Sequence, residues 1–262
     1  MQPLNVLFIG DKNSSALKFL SGSKYLNKFY TNFESENVVC IRFNTFKELA
    51  VKCRSLKIDV VFVEDEKFVF QGIADVLRTN YVNCIALTSN WSKLVLSDSY
   101  ARKMLDKYKI LAPKILSYPS IYPLMVKTDG FCQKANSLAE VLQVKEFVSQ
   151  NLPQVEDRVH LEEFLVGNEY ILNSFFDGKN LITYNSDLPS HLVNSYNNQL
   201  KNMFIQEKAN FIGYINSRVI YSNGMLYNIG FNIDFPNFGQ DILYLTISAI
   251  YQKLDEINLN SK

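Results

Sequence analysis

The sequence predicts an α/β layer built on a parallel sheet, followed by a mixed α+β region rich in hairpins. Three observations carry that prediction. Strand and helix signals alternate over roughly the first 90 residues, the pattern of βαβ units, whose parallel strands need a crossover between them. Ile58–Val63 (IDVVFV) is an almost unbroken apolar run, as a strand covered on both faces requires. Farther along, Asp177-Gly178 and Ser222-Asn223-Gly224 each separate two β-prone runs, and such pairs supply the positive φ of tight hairpins.

In chain order, Asn5–Ile9 reads as the first strand, ending at Gly10, and Ser14–Leu20 as a helix. Val38–Arg42 is a second apolar run. Thr45 and Glu48 form a capping box that opens a helix to about Leu56, since the hydroxyl and the carboxylate satisfy orphan amides of the first turn. Phe70–Arg78 reads as a helix and Cys84–Leu87 as another buried strand. Ser97 and Asp98 are N-cap candidates for a helix to about Tyr108. Pro113, Pro119 and Pro123 mark a connector, and Pro123–Lys127 reads as a strand. Ser137 and Glu140 form a second capping box, with Leu138, Val141, Leu142 and Val148 as the apolar positions of its helix. Val159–Glu163, Glu169–Phe175, Leu181–Tyr184, Arg218–Tyr221 and Met225–Asn232 read as strands, and Gln240–Ile257 as a last helix.

Composition excludes several function classes. With 47% hydrophobic residues in 262, the chain has enough for one large core or two to three small subdomains. Its net charge of +1 is spread along the chain, so no nucleic-acid partner is expected. Cys40, Cys53, Cys84 and Cys132 show no CxxC spacing, so no zinc site is expected. Cys40 and Cys84 lie in apolar runs and read as small buried hydrophobes. Scattered, unpaired thiols fit a reducing cytoplasm. MQPLNVLFIG lacks the features of a leader. No apolar run approaches the roughly 18 residues that span a bilayer, so no membrane partner is expected. His160 reads as packing or bonding locally, and His191 follows Pro189-Ser190 at a helix start. Neither joins a recognisable catalytic triad or dyad.

Taken in order, several segments resemble the phosphoribosylamine–glycine ligases (glycinamide ribonucleotide synthetases), which are ATP-grasp enzymes. They are NVLFIG at Asn5–Gly10; KIDVVFVEDEKFVFQGIADVLR at Lys57–Arg78, with Glu66 on the loop glutamate; SDSYARKMLDKYKILAPKI at Ser97–Ile115; PLMVKTDG at Pro123–Gly130; VHLEEFLVGNEYILNSFFDGKN at Val159–Asn180; and GMLYNIGFNIDF at Gly224–Phe235. The serial order spans nearly the whole chain, and EEFLxGxE is the most specific piece. The resemblance implies a small parallel-sheet N-terminal domain over residues 1–92 and an ATP-grasp-like domain over 93–262. Its lid subdomain would cover about 114–166. The family's C-terminal domain is expected to be absent.

The family activates a carboxylate as an acyl phosphate, which an amine then attacks, in purine biosynthesis. By resemblance, Lys127 would reach the nucleotide phosphates. The backbone around Glu162, Glu163 and Leu165 would bond the adenine edge, and Glu169 the ribose hydroxyls. The second family lysine aligns with Tyr100, which carries no charge. The glycine-rich phosphate flap is represented by Phe131-Cys132-Gln133-Lys134-Ala135-Asn136, with Lys134 as a replacement charge and no glycine to let amides approach a phosphate. The metal-ligand glutamate is replaced by Gly230, leaving Asn232. If the strand continues, its period of two puts Asp234 on the same face as a substitute carboxylate. ATP and Mg²⁺ are thus the implied cofactors. Lys12 with the Ser14/Ser15 helix start would favour an anion, and Asp11 would oppose it. Asp187 stands near the start of a family loop that is missing here, without a catalytic role.

Two readings follow. In one, the chain is a phosphoribosylamine–glycine ligase-like ATP-grasp protein with impaired or lost catalysis, a nucleotide-binding or regulatory module with a possible protein partner. In the other, it is an active ATP-dependent carboxylate–amine ligase, on glycine and phosphoribosylamine or on a changed substrate. Lys127, Glu162, Glu169, Asn232 and Asp234 would be its minimal ATP site.

Overall fold

A computed structural model describes residues 2–35, 38–185, 187–236 and 241–257, without the side chains of Glu156 and Asp255. Ser186, and Gln240 at the start of the expected last helix, lie outside the described residues. The chain divides into two compact units. Residues 1–92, 172–216 and 232–262 form the first, and 93–171 with 217–231 form the second.

The first unit begins with β1 (Leu4–Ile9), α1 (Ala16–Ser21), β2 (Leu26–Thr31), β3 (Val39–Cys40), α2 (Phe46–Ser55), β4 (Val60–Val63), α3 (Glu66–Phe70), α4 (Ile73–Thr79) and β5 (Asn83–Ile85). These five strands form a parallel sheet in the order β3-β2-β1-β4-β5. All four residues of β4 are buried, as the unbroken apolar run requires of a central parallel strand. The Thr45 hydroxyl accepts from the Glu48 amide at 3.1 Å, and the Glu48 carboxylate accepts from the Asn44 amide at 2.9 Å. The helix expected over Phe70–Arg78 is divided between α3 and α4, because Gly72 between them has φ +80°. β2 has no counterpart among the expected strands. Its exposed Asn27 and Lys28 interrupt the apolar signal, and its place is set by pairing with β1.

The second unit holds α5 (Lys93–Leu96), α6 (Asp98–Lys107), β6 (Ile115–Leu116), β7 (Leu124–Thr128), β8 (Phe131–Ala135), α7 (Leu138–Asn151) and β9 (His160–Glu163). β6, β9, β7 and β8 form an antiparallel sheet in that order. Leu124, Val126, Ala135 and Leu161 on one face pack with Val141 and Val144 of α7. Ser137 caps α7, accepting from the Glu140 amide at 3.2 Å.

β10 (Asn168–Phe176), β11 (Leu181–Tyr184), α8 (Ser190–Gln206), β12 (Gly213–Ser222), β13 (Met225–Asn232) and α9 (Ile242–Ile250) follow. The four strands form a sheet ordered β11-β10-β12-β13. Both expected hairpins are present. Gly178 has φ +90° after β10, and Asn223 and Gly224 have φ 49° and 77° between β12 and β13. α9 stops at Ile250, short of the expected Ile257, and a separate 3₁₀ turn covers Leu254–Glu256. In the first unit, α8 buries Val193, Tyr196, Leu200, Met203 and Phe204, spaced as one helical face. Phe204 meets Trp91 edge-on at 5.1 Å and packs on Phe176 and Phe211.

Candidate functional site

Strand alternation builds the site in the second unit. In β7, Leu124 and Val126 face the core, so Met125 and Lys127 face the other way. β9 pairs antiparallel with β7 in the register Met125↔Glu162 and Lys127↔His160, which puts Glu162 and His160 on the same outward face. Asp98 comes from the first turn of α6. There the Ser97 hydroxyl accepts from the Tyr100 amide at 3.4 Å, and the Asp98 amide donates to Asp129 at 2.6 Å.

These side chains form a dense charge cluster. Lys127 Nζ lies 2.9 Å from Asp98 Oδ1 and 3.4 Å from Glu162 Oε2, and it also donates to the Ile229 carbonyl at 3.4 Å. His160 Nε2 stands 3.1 Å from Asp98 Oδ2 and 3.3 Å from Glu162 Oε1, and Nδ1 lies 3.2 Å from the Arg158 carbonyl. Arg102 Nη1 is 3.5 Å from Glu162 Oε1. Asp98, followed by Glu162, pushes His160 up to about 9 against the opposing effect of burial, so the ring is an imidazolium at neutral pH with both nitrogens donating. Burial alone would raise the Asp98 carboxyl, but His160 and Lys127 hold it below its ordinary value. Burial would likewise lower the Lys127 ammonium, but Glu162 and Asp98 raise it above the usual lysine value. Glu162 is only 3% exposed, so its carboxylate is buried among these cations.

The cluster lies against a pocket of about 610 Å³, within the range of small-molecule sites. Lys127, Glu162, Glu163, Leu165 and Glu169 all line it, as do Asp98 and Arg218. Met125, Ile220, Ile229 and Phe231 supply apolar walls. The main chain of β9 is committed to the sheet through Glu163, whose amide donates to the Lys114 carbonyl at 2.9 Å. The chain then continues through Phe164 and Leu165, which line the pocket. The motif glycine, Gly167, is required by a backbone approach, because a Cβ there would stand 2.2 Å from the Tyr221 carbonyl oxygen. Glu169 pairs with Arg218 at 3.3 Å.

Other expectations meet different surroundings. The stretch expected as a flap, Phe131 to Asn136, forms strand β8 up to Ala135. It pairs with β7 through the turn Asp129-Gly130, with φ +72° at Gly130. Lys134 sits over the Phe164 ring, 4.4 Å from its centroid. Phe131 lines the pocket and stacks on Phe147. Asn232 and Asp234 belong to the first unit and are not among the residues lining this pocket. β13 ends at Asn232, so strand alternation does not carry on to Asp234, and the Asn232 side-chain oxygen accepts from the Asp234 amide at 3.4 Å. One carboxylate beside an amide already turned onto its own chain does not fit a Mg²⁺ site. Asp98, His160 and Glu162 also bring ligand atoms within 4.8 Å of one another. Their carboxylates are already matched by Lys127, His160 and Arg102, so a divalent cation does not fit there either. In the first unit, the Ser14 hydroxyl donates to Glu64 Oε1 at 2.6 Å, so this helix start already faces a carboxylate. Burial raises the Glu64 carboxyl. Asp187 donates its amide to Asn185 Oδ1 at 2.8 Å. Cys84 is buried and Cys40 half-buried.

Asp98 and Arg102 were not among the expected site residues. The only signal for Asp98 in the sequence was its N-cap position.

No family model matches the chain. It is 23% identical to the phosphoribosylamine–glycine ligase of Methanosphaera stadtmanae over 171 residues, which cover 56% of this chain and 39% of that protein. With the enzyme of the same name from Fusobacterium nucleatum it shares 21% over 302 aligned positions, covering 92% of this chain and 68% of that one. The chain thus spans about two-fifths of the first relative and about two-thirds of the second. Among solved structures, the phosphoribosylamine–glycine ligase of Thermotoga maritima superposes with a TM-score of 0.71 at 13% identity, over 97% of this chain and 76% of that one. The D-alanine–D-alanine ligase of Bacillus anthracis superposes with a TM-score of 0.59 at 16% identity, over 98% of each chain. No helix among the described residues is long and apolar enough to cross a membrane. The chain has the ATP-grasp fold, and its sequence is similar to that of the phosphoribosylamine–glycine ligases.

Proposed function

We propose that this protein is a purine-nucleotide-binding ATP-grasp module in which phosphoribosylamine–glycine ligase chemistry is impaired or lost. The observation that carries the reading is the state of Lys127. By the resemblance its ammonium should meet nucleotide phosphates, yet it is held by Asp98 at 2.9 Å and Glu162 at 3.4 Å. A cation already neutralised by two carboxylates has little charge left for a phosphoryl group developing negative charge. The two-residue turn at Asp129-Gly130, in place of a glycine-rich flap, supports the same reading. Phosphoryl transfer depends on positioning and charge neutralisation rather than on covalent help from the protein. Losing both devices would therefore remove most of the rate.

The base-binding part is better kept. Apolar walls, the main chain after β9, and Glu169 at the rim make a suitable slot for a purine and its ribose. What the chain's own residues do here is bind and orient; no proton or phosphoryl transfer is assigned to them. The test is calorimetric titration of ATP, together with ADP and phosphate release in the presence of MgATP, glycine and phosphoribosylamine. Binding without turnover is expected. Turnover on the order of 1 s⁻¹ or faster would refute impairment.

The overlay with the D-alanine–D-alanine ligase favours a second reading, since the fold elements of a complete ATP-grasp ligase have counterparts here. In that reading the chain joins a different acid and amine. A product screen across amino acids and amines with MgATP separates the two readings.

A further inference from the structure

We infer that the pocket of the second unit draws its affinity from the base and sugar of a purine nucleoside, and that phosphates add nothing to it. The inference rests on the proposed purine site and specifies its ligand class. The argument is charge. Four carboxylates line the pocket (Asp98, Glu162, Glu163 and Glu169) against two cations, Lys127 and Arg218. Both cations are already committed to carboxylates: Lys127 to Asp98 and Glu162, and Arg218 to Glu169. Arg102 and His160 do not line the pocket; Arg102 is shared between Asp106 at 3.0 Å and Glu162 at 3.5 Å, and His160 faces both Asp98 and Glu162. Glu163 accepts from the Lys114 amide at 2.9 Å, and no ion pair to it is found among the described residues. Among the described residues of this unit, the pocket therefore offers no surplus positive charge. A triphosphate would have to lose water of hydration without gaining an ion pair, a net cost in a half-enclosed site. An uncharged nucleoside has no such cost. It keeps the apolar walls and the main-chain edge at Phe164 and Leu165.

Backbone geometry points the same way. A phosphate cradle needs consecutive amides that approach closely, usually through glycines. Here Phe131 to Ala135 pair in a regular ladder with β7, so their amides run in a strand rather than curl round an anion.

The test titrates the full chain with adenosine, AMP and ATP by calorimetry, at low and high salt, with and without Mg²⁺. Adenosine is expected to bind at least as tightly as ATP, and any disadvantage of ATP should grow at low salt, where repulsion is less screened. ATP binding more tightly than adenosine, with or without Mg²⁺, would overturn the inference while leaving a purine site in place. No binding of any of the three would overturn the purine site itself and the inference with it. A second arm uses Asp98→Asn, which removes the nearest partner of Lys127. Its preference should move about tenfold toward ATP, roughly one charge interaction at this depth. Glu163→Gln keeps the acceptor for the Lys114 amide and should move the preference the same way by about threefold. An unchanged preference in a folded Glu163→Gln variant would count against the charge argument.

Discussion

Raising the pH from 6 to 9.5 should destabilise the second unit through His160. The imidazole has an ordinary pKa of 6.5 and is pushed up to about 9 in the fold, first by Asp98 and then by Glu162. A raised pKa means that the folded state holds the proton more tightly than the unfolded chain. The stabilisation is therefore complete below about pH 6.5, declines as the pH rises, and is gone above about 9. The tighter hold on the proton, from 6.5 to about 9, corresponds to about 3 kcal/mol. Lys127 does not confuse this window, because its ammonium is raised above the ordinary value of 10.5. The chain has two histidines, so the His160 ring resonance is assigned by comparison with a His160→Gln variant and titrated directly by NMR. Hydrogen exchange of the β7 and β9 amides at pH 6, 7.5 and 9.5 then reports the stability of the unit that contains the cluster. Fluorescence of Trp91 would not serve, because that residue is in the first unit. Wild type should lose about 3 kcal/mol of protection relative to His160→Gln across the window. An imidazole titrating near 6.5, or the same pH profile in both proteins, would refute the reasoning.

Three further outcomes are expected. Gly167→Ala should lower the stability of the second unit by about 2 kcal/mol or more, because its Cβ would collide with the Tyr221 carbonyl; an unchanged melting temperature would mean that the two strands separate without penalty. Asp177 is fully buried and accepts from the amides of Lys179 and Asn180 after β10. Asp177→Ala should therefore cost about 2–4 kcal/mol by urea unfolding followed at Trp91, and a cost below 1 kcal/mol would show that water replaces the carboxylate. Asp234→Ala should leave ATP affinity and its Mg²⁺ dependence unchanged in calorimetry; loss of a Mg²⁺ effect present in wild type would identify Asp234 as a metal ligand.

Local chemistry made much of the fold legible. The capping residues Thr45, Ser97 and Ser137 each accept the expected amide, because a cap depends on three or four consecutive residues alone. The same holds for Asn223-Gly224, whose positive φ values need no distant partner. β2 escaped notice because its Asn27 and Lys28 are exposed, and edge-side residues in a short strand carry no clean alternation. α8 was visible only at its start, near His191, because polar residues dilute the apolar face that it buries.

The sequence by itself determined most of the elements, the hairpin positions and the resemblance to an ATP-grasp ligase, because periodicity, capping and turn chemistry are short-range. It also named five of the residues that line the pocket: Lys127, Glu162, Glu163, Leu165 and Glu169. Only the tertiary structure decided what those residues face. The register of β9 against β7 sets His160 beside Lys127 and brings Glu162 within reach of it. The start of α6 then brings Asp98 to both the lysine and the histidine. A lysine that a motif assigns to phosphate is in this fold an ion-pair partner, because the charge available at a site depends on what lies within a few ångströms in space, and sequence spacing does not carry that distance.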